Sequence, residues 1–109
     1  MYQSYPLFIQ QELEKIKSRG GVSIVHDEEY TYVLLALGER KTGGYEIKVL
    51  EVEKKREANE EYILVKAKEK RPDPGDMVIQ VITYPVSVYQ IPKTTLPIRV
   101  EWVRGRGLL

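Results

Sequence analysis

The sequence has no cysteine, and only one histidine, one phenylalanine and one tryptophan among its 109 residues. Without thiols there can be no disulfide, thiolate zinc site, iron–sulfur cluster or cysteine nucleophile. A lone imidazole, His26, cannot build a His-rich metal site within one chain, and at a strand end it is read as structural or solvated. There is no run of eighteen apolar residues, so this segment is not expected to insert into a membrane. Met1-Tyr-Gln-Ser-Tyr-Pro lacks the basic start and long apolar stretch of a signal peptide. Either the protein stays inside the cell or this is a mature segment with an added start methionine. An excess of one charge sign is also missing. Seventeen basic residues against sixteen acidic leave +1, too little to supply the positive field of a nucleic-acid binder.

What is present is a balanced globular composition, 42% apolar and 30% charged, sized for one domain over residues 1–109. From residue 6 to residue 20, Phe8 or Ile9, Leu13 and Ile16 recur at three- and four-residue spacing, which predicts an amphipathic helix. Pro6 suits its first turn, Lys15, Lys17 and Arg19 its end, and Gly20-Gly21 stops it. The period then becomes alternating over a β domain spanning 22–103, followed by a short tail at 104–109. Strands are expected at 22–26, 30–37, 45–52 and 63–68, on either side of Pro85 within 77–91, and at 98–102. The run 30–37 is apolar enough to be central and buried on both faces. The alternation slips by one at Leu50 and Val52, the mark of a bulge. Pro85 removes a ladder donor and marks an edge, a bulge or a cis bond. The expected fold is mainly β: a small antiparallel β-sandwich or partly open barrel of about six strands, with the N-terminal helix packed on it.

The chain is organised around Gly38-Glu-Arg-Lys-Thr-Gly-Gly-Tyr45, a glycine-rich polar connection read as a reversal between two adjacent antiparallel strands. Arg71-Pro-Asp-Pro-Gly-Asp76 is the strongest breaker elsewhere. In an antiparallel chain each connection switches ends, so these two loops should emerge together, with 54–61 and 92–97 at the opposite end. The candidate contact residues are therefore Arg40, Lys41, Thr42, Gly43, Gly44 and Tyr45 with Arg71, Pro72, Asp73, Pro74 and Gly75. Arg40, Lys41, Lys70 and Arg71 would form a basic rim, offset by Glu39, Asp73 and Asp76.

No catalytic constellation accompanies them. Asp27, Glu28 and Glu29 are a charge run at a turn, and Glu51, Glu53, Glu60 and Glu61 fall on wet faces or loop ends. General acid–base work needs a carboxylate desolvated in a cleft. The order of 38–44 is not that of a phosphate-binding loop. No enzyme activity, cofactor or metal is expected. Of the eight tyrosines, Tyr30, Tyr32, Tyr45, Tyr62, Tyr84 and Tyr89 fall in strands and are read as core-edge packing, as is Trp102.

The order Gly38-Glu-Arg-Lys-Thr-Gly-Gly-Tyr-Glu-Ile47, Pro74-Gly-Asp-Met-Val78 and Thr83-Tyr-Pro-Val-Ser-Val88 resembles the PrcB C-terminal domain family over about residues 33–92. That family takes its name from a subunit of a bacterial surface protease complex. The resemblance implies a secreted or lipid-anchored bacterial protein that acts by association, without catalytic residues, hence an extracytoplasmic location and a protein partner such as a protease. Thr42-Gly43-Gly44-Tyr45 is also similar, more weakly, to the wedge loop of chagasin-type cysteine protease inhibitors, with an extra glycine and no Arg-Pro-Trp third loop. The reading that results is a non-catalytic interaction module. The alternatives are a structural domain that self-associates through an edge strand or the helix, for instance as a homodimer, and a protease inhibitor.

Overall fold

The computed structural model describes residues 5–103; the tail expected at 104–109 lies outside them. Helix α1 spans Leu7–Ile16 and is followed by β1 (Gly21–His26), β2 (Tyr30–Ala36), β3 (Glu46–Glu57), β4 (Glu60–Lys70), β5 (Val86–Pro92) and β6 (Ile98–Trp102). Two three-stranded sheets, ordered β1-β2-β5 and β3-β4-β6, stack with β2 central in the first and β4 in the second. The mainly β sandwich with one helix packed on it is as expected, and no barrel closes.

Both faces of β2 are buried because its alternation serves two layers. Tyr32, Leu34 and Ala36 meet Ile9, Leu13 and Ile16 of the helix. Val33 and Leu35 meet Val65 and Ala67 of β4, with Ile63, Ile98 and Val100 around them. The helix is shorter than its predicted span. It starts at Pro6, whose carbonyl accepts from the Ile9 and Gln10 N–H groups, and it stops where Gly20, at φ 82°, donates to the Ile16 carbonyl at 2.8 Å. Of the two predicted candidates for its first core position, Ile9 is buried, while Phe8 is partly exposed and sits edge-on to Tyr32.

The register slip falls where the alternation slips: β3 skips Leu50 between the pairs Val49–Ala67 and Glu51–Lys66. Val49 and Val52 therefore both reach the inter-sheet core, while Leu50 is exposed. The polar stretch 54–61 is mostly strand, because a two-residue reversal with Ala58 and Asn59 at positive φ suffices to close the β3–β4 hairpin.

Four further expectations are corrected. The 38–45 connection does not join paired strands; β2 pairs with β1 and β5, and β3 with β4, so the loop crosses between sheets. The pairing is not wholly antiparallel, since β6 runs parallel to β4. Residues 77–84 form no strand: beyond a bridge between Thr83 and Arg40 they are irregular. Finally, Tyr84, Tyr89 and Trp102 are partly exposed rather than core, because each lies at a sheet edge or end where no second layer covers it. Pro85 is trans, like every described peptide bond, and its carbonyl accepts from the Leu37 N–H at 3.1 Å.

Candidate functional site

The two loops do emerge together. A Cβ placed on Gly44, which has φ 92°, would lie 3.0 Å from Pro72 Cβ and 3.0 Å from Val78 Cγ1. Chain segments nearly thirty residues apart are therefore in contact at this glycine. The contact is reinforced by hydrogen bonds from the chain leading into β5. Gly43 N–H donates to the Ile79 carbonyl at 2.9 Å, and Arg40 and Thr83 exchange N–H···O bonds at 2.9 Å each. The Thr83 hydroxyl adds a 2.8 Å bond to the Thr42 carbonyl.

Arg40 is an anchor rather than a free cation. Its Nε donates to Glu69 at 2.9 Å and its Nη1 donates to the carbonyls of Leu37 and Glu39. The guanidinium also lies over the Tyr45 ring, 5.7 Å from its centroid. The ion pair holds Glu69 below the ordinary carboxylate range and pushes Arg40 upward. Arg71, mostly exposed, reaches the same carboxylate at 4.0 Å. The second loop closes on itself: Asp73 N–H donates to Asp76 Oδ2 at 2.8 Å and Asp76 N–H to the Asp73 carbonyl at 3.0 Å. Gly75, at φ 92°, has open space around it.

Of the predicted contact residues, then, Arg40, Thr42, Gly43 and Tyr45 build the site from inside, while Gly44 is exposed although it meets Pro72. Lys41, Arg71, Asp73, Pro74 and Gly75 are its exposed surface, and Pro72 is half-buried against Gly44. The expected basic rim is thinned by Glu69, which takes up Arg40 and draws Arg71. Sequence reasoning missed Glu69 and Thr83. A signal for the first exists, since Glu69 continues the inward phase of Val65 and Ala67, where an unpartnered carboxylate would be costly. Beside the loops, an open groove of about 1140 Å³ runs between Leu37, Arg40, Glu69 and Trp102.

At the far end of β1, a second polar cluster has a structural role. Asp27 caps the turn by accepting from the Glu29 and Tyr30 N–H groups and from the Tyr32 hydroxyl, at 2.7–2.8 Å. His26 Nδ1 lies 2.8 Å from the hydroxyl of Thr31, which is buried and accepts from Thr94 N–H. Among the described residues no three His, Asp or Glu side chains come together as a metal site, and no helix is long and apolar enough to cross a membrane.

Neither a curated protein nor a solved structure matches the chain significantly. The family model described as PrcB C-terminal does match, over residues 31–92, taking in β2 to β5 and both converging loops, and the chain belongs to that family.

Proposed function

We propose that this domain is a non-catalytic, protease-associated interaction module that meets its partner through residues 39–44 and 71–76. The observation that carries this is the convergence of the two loops at Gly44, fastened from within by Arg40–Glu69 and by the bonds to Ile79 and Thr83. A loop surface held in this way loses little conformational entropy on binding, which is the advantage of preorganisation. The family match supports association with a protease complex. An extracytoplasmic location, in keeping with that family, belongs to the same proposal. The inhibitor alternative is less well supported: Thr42 and Gly43 are bonded to Thr83 and Ile79 instead of standing clear as a wedge.

The test uses two exposed residues; Lys41 is in no ion pair among the described residues, and the 4.0 Å approach of Arg71 to Glu69 is solvent-screened and contributes little to stability. The variant Lys41→Glu/Arg71→Glu should lose at least about tenfold in affinity, roughly 1.4 kcal/mol, for a protease complex recovered with the tagged wild-type domain. Its melting temperature should be unchanged. Equal recovery by the variant rejects the loop surface as the contact.

A further inference from the structure

The chain from Met77 to Pro92 holds no charged residue, sixteen in succession in a protein that is 30% charged. Those residues follow one edge of the β1-β2-β5 sheet. Lys93 N–H bonds to the Glu29 carbonyl, Leu37 N–H to the Pro85 carbonyl, Arg40 to Thr83 and Gly43 to Ile79. The first two bonds also set the phase of β5. In an antiparallel ladder the residues directly opposite exchange both their backbone bonds or neither. With Tyr30 opposite Pro92 and Ala36 opposite Val86, odd-numbered residues of β5 turn their N–H and C=O groups to β2. Val86, Val88 and Gln90 turn theirs outward, and no described residue bonds to them there.

The other three edges are guarded. β3 carries alternating charges and the Leu50 bulge, β6 carries Arg99 and Glu101, and β1 ends in His26 and is tied to the helix by a Ser23–Glu12 hydrogen bond. Charges and bulges of this kind prevent unwanted strand pairing. The β5 edge lacks both; β1, shorter and also without charges or a bulge, is held instead against the helix, and prolines at 85 and 92 bracket β5. Apolar side chains lie exposed along the same course: Met77 at 97%, Ile79 at 68%, then Val81, Ile82, Tyr84 and Tyr89. Their exposed apolar area is on the order of several hundred Å², comparable to the roughly 600 to 1000 Å² per partner that a specific dimer buries.

We propose that this edge pairs with the same edge of a second copy of the chain, β5 against β5 in antiparallel orientation. An uncharged edge offers nothing for a charged partner to read, whereas it complements itself. A twofold axis at Val88 sets Val88 against Val88 and Val86 against Gln90, so that all three outward-facing residues are satisfied and the two sheets merge into one of six strands. This surface is distinct from the loop contact and does not depend on it.

Sedimentation velocity of the full chain from about 1 to about 500 µM should show a monomer–dimer equilibrium governed by mass action. Gln90→Pro removes only an outward donor at an exposed position, which edge strands tolerate, and should weaken the dimer at least about tenfold with the melting temperature retained. Gln90→Lys should act in the same direction, while Lys41→Glu/Arg71→Glu should leave the dimer intact. Because the chain has no cysteine, Val88→Cys reports the register through oxidative cross-linking across the axis, with Glu28→Cys as the control that should not cross-link. A chain that stays monomeric throughout, whether or not the edge captures a strand of another protein, overturns the proposal. So does a dimer indifferent to both Gln90 changes.

Discussion

Gly43 and Gly44 are adjacent but should respond unequally to the same substitution. Gly44 combines φ 92° with the side chains of Pro72 and Val78 3.0 Å from where a Cβ would sit, whereas Gly43 has ordinary contacts at 3.7 Å and beyond. Gly44→Ala should therefore cost about 1–3 kcal/mol in urea denaturation, and Gly43→Ala should be close to neutral. A binding defect in a Gly44 variant would thus report a damaged loop rather than a lost contact. The Asp27 cluster makes a pH prediction. The Tyr32 hydroxyl, then the Tyr30 and Glu29 N–H groups, hold Asp27 below its ordinary 3.8, and Arg40 holds Glu69 below 4.5. Both carboxylates bind protons less readily when folded. Their stabilisation is complete above those ordinary values and is lost as pH falls through the lower, folded ones. Tyr32 has the opposite sign: its hydroxyl is pushed up to about 12 by Asp27, so its share is present below 10.0 and is lost between 10.0 and about 12. Asp27→Ala should bring Tyr32 back toward 10.0 in a tyrosine-resolved NMR titration and flatten the acid limb of the stability curve. An unmoved Tyr32 would rule out the hydrogen bond as the cause.

At the scale of elements, β2 is the strand on which both cores depend, and its two faces can be tested separately. Leu34→Ala opens the helix side and Leu35→Ala the inter-sheet side, and each should cost about 2–5 kcal/mol in chemical denaturation. Only Leu34→Ala should loosen α1, seen as faster amide exchange in residues 7–16. The burial of β2 was legible because an unbroken apolar run of strand length has few other uses. The Leu50 bulge was legible because a slip in a period of two cannot be hidden. What a strand pairs with was not legible. Alternation at β3 and β6 reports which face is wet, but it is the same whether the neighbour is parallel or antiparallel, in the same sheet or the other. The segment 77–84 misled for a related reason: Met77, Ile79 and Val81 alternate like a strand, yet no layer lies over them. Periodicity records a preference for burial and says nothing of what does the burying.

For the whole molecule, the end-sharing of the two loops was recoverable by counting connections, even though the strands they join lie in different sheets. Crossing to the other sheet leaves a loop at the same end, so the parity argument survives an error in pairing. The anchoring of the site was less visible, since Arg40–Glu69 and Thr42–Thr83 join residues 29 and 41 positions apart. The parallel pairing of β6 with β4 bears on the order of folding. The β3–β4 hairpin closes locally, but Ile98 must find Ile63 after the chain has left for β5 and returned. Contacts so distant in sequence are slow to form, because loop closure must be completed before any ladder bond rewards it. β5, whose partner β2 lies farther away still along the chain, and β6 are therefore the last strands to join, and until β6 does so β4 is an open edge beneath an unfinished core.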